Sequence, residues 1–126
     1  MTARHQVVLF LHLMKVAANE QFVFVGRRVN LETLAQLGIT RQQAQDLVMG
    51  LTPDDYVSGP SPDHKHPGLE MWVFGLHVDA NEVYTKVQVV VGPPTRCVCV
   101  SFHASDFPML YPFRKTDPPA NEEDRR

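Results

Sequence analysis

The chain of 126 residues carries almost no net charge, and its small excess is acidic. The formal charge is −2 at pH 7. Residues 1–115 contain ten Lys or Arg and ten Asp or Glu, so the acidic excess falls entirely in residues 116–126. A body without a basic excess argues against a broad surface for nucleic acid. Any contact with phosphate is therefore expected to be local.

Cysteine is also scarce. The two cysteines, Cys97 and Cys99, alternate with valines in one short run. Side chains at i and i+2 of a strand lie too far apart for an unstrained disulfide. The C-x-C spacing also differs from the redox C-x-x-C motif. We interpret both as small apolar residues whose free thiols indicate a reducing compartment.

Long hydrophobic runs are missing. The apolar segment Val7–Leu11 is followed by His12 and Lys15, which is atypical of a signal peptide, and it is too short to span a bilayer. We therefore predict a cytoplasmic protein without membrane contact. The length fits one domain. We place it at residues 1–115 and predict a disordered acidic tail at residues 116–126.

The first half of the chain has helical patterns. Residues 5–19 predict a helix that buries much of its surface through Val8, Leu11, Met14 (or Leu13) and Ala18. After an apolar run of unassigned type, Phe22–Val25, two shorter helices are indicated. Their signals are Asn30 as an N-cap with Gly38 as a stop, and Thr40 with Gln43 as a capping box.

The second half has strand patterns. Ser58–Gly68 is rich in Pro and Gly and predicts an exposed loop. Three alternating runs follow, joined by tight turns: Glu70–His77, Glu82–Val91 and Arg96–His103. The order predicts an α+β fold in which N-terminal helices pack on one face of a small antiparallel sheet, a meander of at least three strands. The other face of the sheet is expected to stay open.

The register of the last hairpin decides which side chains share that open face. Pairing Val91 with Arg96 sets three further pairs: Tyr84 with His103, Lys86 with Ser101, and Gln88 with Cys99. One face then carries a phenol, an ammonium, a hydroxyl and an imidazole. The opposite, apolar face is expected to carry Val83, Val87, Val89, Val98, Val100 and Phe102.

These polar groups suit chemistry on a phosphodiester. Lys86 would neutralise a phosphate, His103 would exchange a proton near neutral pH, and Tyr84 would hold a phosphate oxygen or stack on a base. Metal-free RNA cleavage needs a base, a cation and an acid. Taken alone, the pattern is more typical of the solvated face of an ordinary sheet.

Two further segments bear on the site. Trp72 stacks on unpaired bases if it lies on the open face, whereas a slip of one residue sends it to the core. The loop offers Lys65, which would close over a phosphate. Its neighbours His64 and His66 lack two further ligands nearby, so we predict no metal site.

The chain resembles the motility quorum-sensing regulator (MqsR) toxins of type II toxin–antitoxin systems over about residues 9–103. The resemblance rests on the order and spacing of four segments: Asn30–Gly38, Leu47–Tyr56, Glu82–Lys86 and Val98–His103.

The resemblance implies a RelE-like fold and a small cytoplasmic endoribonuclease that cleaves mRNA without a metal and is neutralised by a cognate antitoxin. The strand tyrosine of the family falls on Tyr84. A functional lysine falls on His103, which is a change of residue type, and a glutamine falls on Val73. A second lysine, near the end of Leu47–Tyr56, has no match, and Lys65 is its possible substitute.

The sequence thus predicts a metal-independent mRNA endoribonuclease with no cofactor. The predicted catalytic residues are His103, Tyr84 and Lys86, and the predicted substrate contacts are Lys65, Ser101 and Trp72. The predicted partners are single-stranded mRNA and an antitoxin. The antitoxin either covers a mixed apolar and polar surface or adds a strand at a sheet edge, expected to be Glu70–His77 or Arg96–His103. The alternatives are a non-catalytic RNA- or protein-binding module of the same fold, and a metal-dependent hydrolase using the His64/His66 loop.

Overall fold

The computed structural model describes residues 2–114. The predicted disordered tail, residues 116–126, falls outside them. The described chain contains three α-helices, one 3₁₀ turn and five strands. In chain order these are α1 (Arg4–Glu20), β1 (Phe22–Phe24), α2 (Arg28–Leu37), α3 (Arg41–Met49), the 3₁₀ turn (Pro53–Asp55), β2 (Tyr56–Pro62), β3 (Glu70–Val78), β4 (Asn81–Val90) and β5 (Arg96–Ala104).

The five strands form one sheet in the order β1-β5-β4-β3-β2. Strands β3, β4 and β5 make the predicted antiparallel meander, and the helices pack on one side of it, so the α+β class is confirmed. Two strands were not predicted. β1 comes from the unassigned apolar run and pairs in parallel with β5, which makes the sheet mixed. β2 comes largely from the segment that was predicted to be a loop. Its Pro and Gly residues are typical of loops, and its pairing with β3 is not visible in the sequence.

The added strands change the sheet edges. β3 pairs with β2 as well as with β4, and β5 pairs with β1 as well as with β4. The prediction that β3 or β5 is an open edge is therefore wrong. The outermost strands are β1 and β2.

Helix α1 covers the core face through one stripe and leaves another apolar stripe outside. Its buried residues are Val7, Phe10, Leu11, Met14, Ala17 and Ala18. Val8, expected in the core, is 45% exposed, and Leu13 is also exposed. The helix is apolar on more than one side, so periodicity alone did not identify the buried stripe. No helix in the described part of the chain is long and apolar enough to cross a membrane.

Both shorter helices end as predicted, and α3 also begins as predicted, but α2 begins earlier than predicted. Gly38 ends α2 with a φ of 68°, and Thr40 caps α3 by accepting a hydrogen bond from the Gln43 N–H at 3.1 Å. Asn30, predicted as an N-cap, instead lies inside α2 and is fully buried. Its side chain bonds the backbone of the sheet rather than the helix end.

A β-bulge in the last hairpin shifts the side-chain alternation of β5. Tyr84 lies opposite His103 and Lys86 opposite Ser101, as predicted. The register then changes, because Val87 lies opposite Cys99 and Val100 is the extra residue. The two other predicted pairs are therefore wrong by one residue, since Gln88 lies opposite Val98 and not Cys99, and Val90 and not Val91 pairs with Arg96.

The bulge also exchanges the faces of the N-terminal half of β5. Val98 and Val100, expected in the core, lie on the open face, while Cys97 and Cys99 are fully buried among apolar side chains. Both cysteines are free, as predicted. Burial raises the pKa of Cys97 to about 12 and raises that of Cys99 as well, so both are protonated, unreactive core residues.

Candidate functional site

The sheet face turned away from the helices forms the floor of a groove with a volume of about 830 Å³, which is within the usual range for ligand sites. β4 contributes Tyr84, Lys86 and Gln88 at alternate positions. The remaining wall comes from β2, β3, β5, the residue before α2 and the β2–β3 loop, residues 63–69. The side chains lining it include Arg27, Ser58, Ser61, Asp63, His64, Lys65, His66, Met71, Val73, Val98, Val100 and Ser101.

Tyr84 and His103 form a stacked pair at one end of the groove. Their ring centroids are 5.1 Å apart and the planes differ by 16°. His103 is half-buried and flanks Tyr84 without lining the groove itself. Its Nδ1 lies 3.2 Å from the carbonyl oxygen of Ala104. Because a carbonyl only accepts, this bond places the hydrogen on Nδ1 and leaves Nε2 as an acceptor in the neutral ring.

Lys86 lies in the middle of the groove, directly opposite Ser101. Its Nζ is 5.9 Å from the centroid of the Tyr84 ring, a distance that favours a cation–π interaction. The hydroxyl of Ser101 accepts a hydrogen bond from Arg27 Nη1 at 3.3 Å. Ser101 is only 4% exposed, so it orients a guanidinium more readily than it contacts a ligand.

The β2–β3 loop is fastened over the groove by Asp63. This carboxylate is 5% exposed and accepts three hydrogen bonds: from the backbone N–H of Lys65 at 3.0 Å, from His66 Nδ1 at 3.0 Å and from Gln88 Nε2 at 3.2 Å. Gln88 belongs to β4, so the loop reaches across β3 to the centre of the sheet. Lys65 and His66 thereby line the groove.

Those contacts also fix the charge of Asp63. Burial alone would raise the pKa of this carboxyl, but the hydrogen bonds from Gln88, His66 and the Lys65 N–H outweigh it and lower the pKa to about 2. The loop is therefore held by a carboxylate that is ionised at neutral pH.

Trp72 lies on the other face of the sheet and is not part of this site, so the predicted substrate contact by Trp72 is wrong. It pairs with Val87 on the helix-covered face, is 8% exposed, and stacks on Phe10 with centroids 4.3 Å apart. Its neighbour Val73 is the residue opposite Lys86 and lines the groove. The register that was left open from the sequence therefore sends the indole to the core.

The chain after β5 closes the open face beyond Tyr84. Glu82 accepts hydrogen bonds from the Met109 N–H at 3.1 Å and from the Tyr111 hydroxyl at 2.6 Å. Tyr111 lies over Gly75, the residue opposite Tyr84. Burial and then the neighbouring carboxylate of Glu82 raise the pKa of Tyr111. We call residues 105–114 the C-terminal strap.

Sequence reasoning missed the role of four groove residues. Arg27 had no signal, because the helix start was placed at Asn30. Gln88 was assigned to the polar face but given no role. Asp63 and His66 were considered only as metal ligands, although an i, i+3 carboxylate–histidine pair in a turn is also a local hydrogen-bonding pattern. Among residues 2–114, no group of three His, Cys, Asp or Glu side chains is placed to hold a metal ion.

In comparisons with known proteins, the chain matches no family model, no curated protein and no solved structure. The resemblance to the MqsR toxins and to the RelE-like fold therefore remains a prediction from the sequence.

Proposed function

We propose that this chain is a cytoplasmic toxin of the type II toxin–antitoxin class and acts as an endoribonuclease that cleaves single-stranded mRNA without a metal. The observation that carries the proposal is the adjacency of Tyr84, Lys86 and His103 on the open face of the β4–β5 hairpin. The groove beside them adds cations from Arg27 and Lys65.

The groove has the mixed lining that an unpaired RNA segment needs. Its floor includes apolar side chains from Met71, Val73, Val98 and Val100, which suit base faces. Its cations suit the phosphates between those bases. The neutral body agrees with this local mode, because attraction is confined to the groove and does not extend over the surface.

Each predicted catalytic residue has a role that fits its position. His103 presents Nε2 as an acceptor and takes the proton of the attacking 2′-hydroxyl. Lys86 stabilises the negative charge that grows on the phosphate oxygens. Tyr84 holds the substrate between them, by stacking or by a hydrogen bond from its hydroxyl. Ser101 supports Arg27 from beneath, and Lys65 approaches from the loop.

A cognate antitoxin is the proposed protein partner, and the sheet edges indicate where it binds. The outer strand β2 contains Gly59, Pro60 and Pro62, and proline cannot donate to an added strand. The outer strand β1 has three residues. Neither edge favours strand addition, so we propose that the antitoxin covers the groove mouth. Co-expression with the adjacent gene product should restore growth and yield a co-purified complex, and neither result is expected if that product is unrelated.

The test of the activity is cleavage of a labelled single-stranded RNA by the purified chain in a chelator. The parental chain should cleave, and His103→Ala should slow cleavage by about 10²–10⁴-fold, the usual cost of losing a general acid or base. His12→Ala, an exposed change on α1, is the matched control and should cleave at the parental rate. Equal cleavage rates for His103→Ala and the parental chain would show that His103 is not the base.

The second candidate is a non-catalytic RNA-binding module of the same fold. It is favoured by the valine and histidine that stand at positions 73 and 103, where the resemblance expects a glutamine and a lysine. This alternative predicts RNA binding that needs Lys86 but no cleavage and no toxicity on expression. Cleavage restored only by an added divalent ion would instead support the metal-dependent hydrolase.

A further inference from the structure

Asp63 and His66 form a carboxylate–imidazole pair on the wall of the groove. Asp63 Oδ2 lies 3.0 Å from His66 Nδ1. An ionised carboxylate only accepts hydrogen bonds, so Nδ1 carries the hydrogen and Nε2 is directed away from Asp63. The His66 side chain is 65% exposed, whereas that of Asp63 is 5% exposed. The buried group thus fixes the orientation of an accessible ring.

The pair is held more firmly than a surface ion pair on a loop. Asp63 is also bonded by Gln88 from the centre of the sheet and by the Lys65 N–H. These bonds keep the carboxylate ionised, and its charge stabilises the positive charge that His66 carries when protonated. Carboxylate–histidine pairs of this kind orient and charge-stabilise acid/base histidines in hydrolases.

The position of the pair complements that of His103. Along the groove face of β4, Tyr84 stacks on His103, Lys86 follows, and Gln88 bonds Asp63. Tyr84 and Gln88 are four residues apart, or about 13 Å along a strand. Lys86 therefore lies between the residue that stacks on His103 and the residue that bonds Asp63, the partner of His66.

We infer that His66, on the wall of the groove, is the second acid/base residue of the site, acting as the general acid, and that Asp63 is its positioning residue. This inference rests on the proposed ribonuclease activity. His103 removes the 2′-hydroxyl proton, the 2′ oxygen bonds to phosphorus, and the bond from phosphorus to the 5′ oxygen breaks. His66 gives its proton to that leaving oxygen. The products are a 2′,3′-cyclic phosphate and a 5′-hydroxyl, with no oxidation or reduction.

The experiment compares single-turnover cleavage of RNA, in a chelator, by the parental chain and by His66→Gln, Asp63→Asn and His12→Gln. His66→Gln should slow cleavage by about 10²–10⁴-fold and remove the alkaline limb of the pH–rate profile. Asp63→Asn should slow the same step. The other titratable or charged groups lining the groove, Arg27, His64, Lys65, Tyr84 and Lys86, are unchanged in these variants.

A substrate with sulfur in place of the scissile 5′ oxygen separates the general acid from a structural role. Its thiolate leaves without a proton, so most of the loss in His66→Gln should disappear on this RNA, while the loss in His103→Gln should persist. A loss that is equal on both RNAs, with a lowered melting temperature, would show that His66 only holds the loop and would overturn the inference.

Different results would overturn the role of His66 and the ribonuclease activity. Parental cleavage that is indifferent to His66→Gln overturns the role of His66 and leaves the ribonuclease intact. A parental chain that cleaves no RNA and causes no toxicity removes the proposed function and the catalytic role of His66 together.

Discussion

At the residue scale, two buried polar side chains shape the groove. Asn30 Nδ2 donates to the carbonyls of Val25 and Val100 at 3.0 Å, and its Oδ1 accepts from the Phe102 N–H at 3.0 Å. Val100 and Phe102 lie at the β-bulge, where the ladder leaves backbone groups without their regular partners, and Val25 directly follows β1. Asp63 likewise holds the β2–β3 loop on the sheet, by accepting hydrogen bonds from the Lys65 N–H and from Gln88.

Asn30→Ala should destabilise the fold strongly. Each buried polar group left without a partner costs ~1–3 kcal/mol, so the loss of three bonds should lower the free energy of unfolding by about 2–4 kcal/mol. Urea denaturation measures it. Gln36→Ala, an exposed change on the same helix, should stay within about 0.5 kcal/mol of the parental chain. Equal midpoints for the two variants would mean that water satisfies the bulge.

Asp63 should make the stability of the fold depend on pH in the acid range. Its pKa falls from an ordinary 3.8 to about 2 on folding, so its contribution is present above about pH 4 and is lost as the pH falls through about 2. The melting temperature of Asp63→Asn should therefore lie below that of the parental chain near neutrality and approach it toward pH 2. Asp106→Asn, an exposed change, should follow the parental curve throughout. Parallel curves for Asp63→Asn and the parental chain would contradict the linkage.

At the element scale, the C-terminal strap covers the open face beyond Tyr84, and the bulge in β5 decides which of its side chains line the groove. The strap depends on Gly75, because a Cβ at this position would collide with the ring of Tyr111. The bulge lies at Val100, which is the extra residue in β5. It turns the two cysteines toward the core and the valines beside them toward the groove. In the strap and in the bulge, one or two residues therefore determine the position of a whole segment.

Gly75→Ala should detach the strap. The added methyl displaces Tyr111, at a cost of about 1–3 kcal/mol typical of overpacking. The Met109 amide, which donates to Glu82, should then lose its protection from hydrogen exchange. Gly26→Ala is the control, since its nearest neighbour would be Arg41 at an ordinary 3.8 Å. Unchanged protection of Met109 in Gly75→Ala would show that the strap adapts.

At the scale of the whole molecule, a neutral body with a few cations in one groove predicts weakly salt-dependent RNA binding. Lys86, Lys65 and Arg27 would neutralise about three phosphates, which gives a slope of log K against log salt of about −2 for a single strand.

Anisotropy with a labelled 2′-O-methyl RNA, which lacks the attacking hydroxyl, measures that slope. Lys86→Ala should reduce its magnitude by about 0.7. Arg4→Ala, an exposed change at the start of α1, should leave it unchanged. A parental slope of about −5 or steeper would mean that RNA contacts a much wider surface than the groove.

The sequence by itself determined the fold class, the three helices, the meander and the pairing of Tyr84 with His103 and Lys86 with Ser101. These features depend on local periodicity and on short turns, which one stretch of sequence contains. Even the correct pairs came with a turn register wrong by one, because a bulge is invisible to strict alternation.

Only the tertiary structure decided which residues meet across the groove. Trp72 is in the core because the helices pack on its face of β3. The two outer strands form because segments distant in the chain supply their partners. Arg27 and the Asp63–His66 pair reach the groove through contacts with Ser101 and Gln88, which are 74 and 25 residues from Arg27 and Asp63, respectively. Such contacts depend on how elements pack, and no local pattern in the chain encodes them.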